Sequence, residues 1–216
     1  MDDNPFDPEQ PFAPFAGRED AFTLLQNHLN NPSGTSAAVF LGRRHIGKTA
    51  LLKHTYQVFD ETHLIIDLAP GKMAINDEHV WLTSLAHALI DESDRRGFTP
   101  QTPLDIPDED IRAWLREVCL PELLHVIRRQ RQFVILLDDA HHLIDAVHTG
   151  RLPDDHFAYL ASLRQPQLGM ALTICDSHED RLDALVPLAQ PIDVMRLVNL
   201  NRHATDSLMT HFTPFE

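Results

Sequence analysis

The residues Gly42-Arg43-Arg44-His45-Ile46-Gly47-Lys48-Thr49 fit the pattern G-x-x-x-x-G-K-[ST]. Glycines at this spacing let the backbone curl so that successive N–H groups point inward, and a helix starting near Lys48 adds the positive end of its dipole. Together they form a cradle for phosphate oxygens. Lys48 can reach the outer phosphates as a point charge, and the Thr49 hydroxyl is a hard oxygen ligand for Mg2+. Further along, Asp138 and Asp139 directly follow five apolar residues, Phe133–Leu137. Asp138 suits the carboxylate that holds Mg2+, and Asp139 could orient or deprotonate an attacking water. The chemistry this predicts is Mg2+-dependent binding and hydrolysis of ATP. Lys48, Asp138 and Asp139 are the catalytic candidates, and Thr49 and Asp138 the metal ligands.

Such groups need a scaffold that brings two distant segments to one edge. Residues 37–41 are a short apolar run entering Gly42, and Leu51, Leu52, Tyr56 and Phe59 recur at helical spacing after Lys48, giving strand, loop, helix. A second strand is expected at 63–68, closed by Pro70-Gly71, and an amphipathic helix over 77–96 carries Trp81, Leu82, Leu85, Ala86 and Leu89 on one face. Residues 97–110 read as a surface loop. A helix restarts at Ile111, is kinked or divided by Pro121 and ends near Gln130. The apolar run before Asp138 has the character of a central parallel strand. Then come a helical segment at 155–163, a strand at 170–175, a short helix at 179–185, an edge strand at 194–198 and a final helix. A further helix is expected over Glu19–Leu29, preceded by an extended arm, residues 1–17, rich in Pro and Phe; residues 18–216 are expected to form one nucleotide-binding domain. The alternation implies an α/β fold, a parallel sheet sandwiched by helices, with ligands beyond the carboxyl ends of the strands.

Composition narrows the function. A net charge of -14 disfavours direct nucleic-acid binding by the surface as a whole. No apolar stretch approaches the length of a membrane span, so no membrane partner is expected and the cytoplasm is the expected location. Cys119 and Cys175 read as plain core residues. The 14 histidines show no zinc-type spacing, and the adjacent His141 and His142 cannot readily aim both rings at one ion. Arg18, Arg164 and Arg181 could each contact phosphate, but a solvated arginine is the commoner case and none is assigned a catalytic part. Asp176 and Ser177 could sense the outermost phosphate or simply cap a turn.

Several segments in order resemble ATPases of the AAA+/STAND group of P-loop NTPases: Asn4-Pro5-Phe6, Pro14-Phe15-Ala16-Gly17-Arg18-Glu19, the loop with Ala50-Leu51-Leu52 after it, and 133–142. More narrowly, the F-x-G-R-E entry and the GRRxIGKTxLL loop are similar to bacterial and archaeal ATPases related to origin-recognition initiators. The 137–141 stretch resembles the acidic strand, or Walker B motif, of large ATP-binding regulators. The resemblance implies that Phe15, Gly17 and Arg18 lie near the adenine and phosphates. It adds these to the Walker A residues Gly42, Arg43, Arg44, His45, Ile46, Gly47, Lys48, Thr49 and Ala50 as nucleotide contacts. Two departures stand out: Cys175-Asp176-Ser177 replaces the expected sensor arginine or asparagine, and neither a helical lid nor a winged-helix part is expected within these 216 residues. An open groove, and Asp139 where vigorous ATPases place the longer glutamate, predict slow turnover. The expected function is a nucleotide-controlled molecular switch in signalling or regulation, with ATP and ADP as ligands and protein partners or further domains of a longer protein. The alternatives are a DNA-associated initiator or transposition-helper ATPase, and a non-hydrolysing, nucleotide-stabilised scaffold.

Overall fold

A computed structural model of the chain describes residues 15–29, 37–101, 103–127, 131–188 and 193–210. The strands are β1 (Ala38–Gly42), β2 (Leu64–Leu68), β3 (Phe133–Leu137), β4 (Leu168–Cys175) and β5 (Asp193–Arg196). They form one sheet in the order β2-β3-β4-β1-β5, with every neighbouring pair parallel.

Strand periodicity divides the core in two. Val39, Leu41, Ile66, Ile135 and Leu137 face one layer, while Phe40, Ile65, Val134 and Leu136 face the other. β1 and β3 are buried at every residue, which explains why their sequences are unbroken apolar runs. The second face is covered by α1 (Glu19–Leu29) and α2 (Lys48–Phe59), through Leu25, Leu29, Leu51, Leu52 and Phe59. The first is covered by α3 (Glu78–Arg95), α4 (Ile111–Trp114), α5 (Leu120–Ile127), α6 (His141–His148) and α7 (His156–Ser162). The final element, α8 (Arg202–Thr210), follows β5.

The predicted α/β sandwich is thus the observed one. The helix expected to be kinked or divided at Pro121 is interrupted just before it: a π-turn, Leu115–Cys119, joins α4 to α5, with Leu120 N–H donating to the Leu115 carbonyl. Proline lacks an N–H, and the wider turn shifts the hydrogen-bond ladder where that donor is missing. The segment expected as a helix at 179–185 is instead a 3-10 run, Asp176–Leu185, with a break at His178. Cys119 is buried, whereas Cys175 is only half-buried, and both are free thiols. Burial pushes the Cys119 thiol up to about 12. Residues 1–14 of the expected arm and the helix end near Gln130 lie outside the described residues. Among the described residues no helix is long and apolar enough to cross a membrane.

Candidate functional site

β1 delivers the chain to Gly42, and α2 begins six residues later, so 43–47 must turn within a very short span. Gly47 makes the turn with φ 101°, a left-handed conformation that a side chain would strain. The first N–H groups of α2 have no partner inside the helix and face the mouth of the loop. His45 (φ 62°) and Asp139 (φ 54°) also adopt left-handed conformations. Strain held in non-glycine residues costs roughly 1–3 kcal/mol each and tends to mark functional positions.

Between them opens a cleft of ≈ 480 Å³ lined by Arg44, His45, Gly47, Lys48, Thr49, Ala50 and Asp139. Lys48 is buried, and its ammonium donates to the Gly42 carbonyl at 3.1 Å and the Arg43 carbonyl at 3.0 Å. Both acceptors are neutral, so the positive charge stays available to an anion in the loop. Thr49 Oγ1 donates to Asp138 Oδ2 at 2.7 Å, which joins the loop to the end of β3. Asp138 Oδ1 accepts from Thr173 Oγ1 at 2.5 Å, and Asp139 N–H donates to that same hydroxyl at 2.8 Å. A hydroxyl and a carboxylate in contact form a hard, all-oxygen donor pair that leaves room for phosphate and water, as Mg2+ requires. These residues therefore fit Mg2+.

Thr173 is the residue that sequence reasoning missed. It is fully buried on β4, which lies between β1 and β3. Its signal was a single hydroxyl inside the apolar run Met170-Ala171-Leu172-Thr173-Ile174-Cys175. Asp176 and Ser177, at the end of that strand, do not line the cleft. Ser177 Oγ lies 3.0 Å from His178 Nδ1, and Asp176 lines a neighbouring cavity of ≈ 250 Å³ together with Gly42, Arg43, Ile46 and Val198. The predicted nucleotide set is therefore split between two adjoining spaces.

The entry residues line neither space. Phe15 stacks on His54 of α2 at 4.0 Å between ring centres. Gly17 (φ 73°) lies so close to α8 that a Cβ there would meet Ala204 Cβ at 2.3 Å. Arg18, 8% exposed, donates to the Ile46 carbonyl and the Val198 carbonyl, each at 2.6 Å. Burial lowers its pKa, and its two carbonyl partners brace the loop against the segment after β5. Arg164 bonds the carbonyls of Ala161 and Pro187, and Arg181 pairs with Asp145 at 2.7 Å.

Comparison of the sequence with protein-family profiles and with curated proteins finds no match. Among solved structures, the chain is similar to a Walker-type ATPase of Pyrococcus abyssi, with 18% identity, a TM-score of 0.64 and coverage of 91% of this chain and 57% of that one. It is similar to Cdc6p of Pyrobaculum aerophilum, with 19% identity, a TM-score of 0.57 and coverage of 97% and 52%. It is also similar to the ORC1 protein of Aeropyrum pernix in complex with DNA, with 11% identity, a TM-score of 0.55 and coverage of 96% and 53%. The chain thus has the P-loop AAA+ fold and spans about half the length of these proteins. The expectation that net charge disfavours direct nucleic-acid binding does not stand, because the Aeropyrum pernix protein of this fold is bound to DNA. A summed charge of -14 does not set the local potential of one face, and a cluster of a few cations within a Debye length governs contact with a phosphate backbone.

Proposed function

We propose that residues 18–216 form an ATP-binding domain that hydrolyses ATP slowly with Mg2+ and acts as a nucleotide-controlled switch of the STAND kind. The contact that carries this reading is Thr49 Oγ1 to Asp138 Oδ2 at 2.7 Å, which joins two motifs far apart in sequence at the mouth of one cleft. Bound Mg2+, held by Thr49 and Asp138, would neutralise charge on the phosphate oxygens. Lys48 and the N–H groups of the loop bind the phosphates, and Asp139, on the cleft wall, takes the proton of the attacking water. The junction at Thr49 and Asp138 supports the switch, since a ligand there would order the loop and the end of β3 together.

The test is calorimetry of Mg-ATP binding to the wild type and Lys48→Ala, with phosphate release followed on the same samples. Binding by the wild type, at least about 100-fold weaker in the variant, with slow release is the expected result, since a charge-assisted contact is worth roughly 1.5–3 kcal/mol and more when its loss also disturbs the loop. No binding by the wild type overturns the nucleotide reading. Binding without release supports the scaffold instead.

A second reading, a DNA-associated initiator ATPase, is favoured by the likeness to a protein solved in complex with DNA. Repeating the release assay with duplex DNA separates the two, because stimulation marks the initiator and an unchanged rate the switch.

A further inference from the structure

Beside Asp139 stands a group of three histidines that the reading above leaves unused. His141 opens α6, and its ring lies 4.4 Å from that of His142 and 4.6 Å from that of His178. The neighbours are themselves fixed. His178 Nε2 lies 3.3 Å from Asp145 Oδ2 and its Nδ1 3.0 Å from Ser177 Oγ, while His142 fills the space that a side chain at Gly71 would occupy. The His141 ring is thus walled in, with its side chain 13% exposed. Its Nδ1 is buried with no hydrogen-bond partner among the described residues and faces Asp139 Oδ1 at 3.8 Å, a small side-chain rotation short of a hydrogen bond.

Asp139 presents the complementary need. Its backbone is pinned, since its N–H donates to Thr173 Oγ1 and the next N–H, of Ala140, donates to the Thr173 carbonyl. Its carboxylate is 45% exposed on the cleft wall, and only His141 faces it among the described ion-pair partners. Burial, with His142 next in weight, holds the His141 pKa down to about 4, so at neutral pH the ring carries one proton to give to one nitrogen.

We infer that His141 is a positioning residue for Asp139, donating its Nδ1 proton to one carboxylate oxygen so that the other faces the cleft. The inference rests on the ATPase reading for its consequence. As water oxygen bonds to the γ-phosphorus and the bond to the bridging oxygen breaks, its electron pair leaves with ADP, and the water proton passes to the free Asp139 oxygen and then to solvent. A carboxylate held by one oxygen keeps the other aligned for that transfer.

The experiment compares the wild type with His141→Phe, which keeps a ring but no donor, and His141→Asn, whose amide can donate from nearly the place of Nδ1. Long-range nitrogen–proton spectra of the imidazoles, with the His141 signal identified by its loss in either variant, report the tautomer directly. A neutral ring protonated on Nδ1, with that signal shifted in Asp139→Ala, is the expected result. Phosphate release at saturating Mg-ATP should fall roughly 10- to 100-fold in His141→Phe with ATP affinity unchanged, and recover most of that in His141→Asn. An Nε2-protonated ring, an Asp139→Ala spectrum identical to the wild type, or equal release by both variants overturns the inference. If the wild type binds or hydrolyses no ATP, the ATPase reading fails separately, and the tautomer alone decides whether His141 holds Asp139.

Discussion

Asp138 takes one hydroxyl on each carboxylate oxygen, Thr49 from the loop and Thr173 from β4, and Thr173 also receives the N–H of Asp139. One buried side chain therefore sets the position of both acids. Thr173→Val keeps the shape and removes the hydroxyl, leaving a buried carboxylate oxygen and a backbone N–H without partners. Each such group costs about 1–3 kcal/mol. Urea unfolding should show a loss of about 2–6 kcal/mol for the two groups together, Thr173→Ser should lie near the wild type, and a Thr173→Val protein as stable as the wild type would refute the arrangement. The tight strand-to-helix turn at 42–49 and the strand end before Asp138 were legible in the sequence, because glycine spacing and unbroken apolar runs mark them locally. Thr173 was not, because its role depends on register. Leu137 pairs with Leu172, so β4 runs on past the end of β3, and the residue level with Asp138 is Thr173 rather than the strand-terminal Asp176. Arg18 shows a related limit: the entry motif names the residue but not which carbonyls its guanidinium will meet.

Among elements, the helices over the first face are joined by charge as well as by apolar packing. Glu78, at the start of α3, accepts from Nε and Nη2 of Arg112 at 2.7 and 2.8 Å and lies 2.7 Å from Nδ1 of the fully buried His156 of α7. Arg112 of α4 also pairs with Asp155. Burial alone would raise the Glu78 pKa, but the hydrogen bonds from His156 and Arg112 outweigh it and hold the group below its ordinary 4.5. A depressed carboxyl pKa contributes stability that is full above the unfolded value and lost as pH falls through the folded one. The melting temperature of the wild type should therefore fall as pH drops below 4.5, and this acid limb should be shallower in Glu78→Gln, which starts lower at pH 7. Equal slopes in the two proteins would show that the α3–α7 junction gains nothing from the ionised glutamate. Most elements were readable from periodicity, since α3 shows a clear helical stripe and β3 an unbroken apolar run. The strand order was not, because β1 sits between β4 and β5 through crossovers that no local pattern encodes. Nor was the π-turn, since Pro121 announces a missing donor without saying whether the helix stops or widens around the gap.

At the scale of the whole molecule, the cleft lies where separately built parts meet. The loop belongs to β1 and α2, Asp138 and Asp139 to β3, and Thr173 to β4, while Arg18 ties the loop to the exit from β5. A ligand that touches the loop and Asp138 together binds only when all of these are assembled. It should stabilise the folded state as a unit rather than stiffen one loop. At a hundredfold excess over Kd such linkage is worth about 2.7 kcal/mol, which for a domain of this size corresponds to a rise in Tm of about 5–10 °C. Mg-ATP should produce a shift of this order in a thermal melt that grows with ligand concentration. Chelating the metal should reduce it, because Thr49 and Asp138 are the residues proposed to hold the cation. Lys48→Ala should abolish it. If Tm does not move at millimolar Mg-ATP, the loop is a structural turn that happens to carry the motif, and the strain stored at His45 and Asp139 needs another explanation than nucleotide.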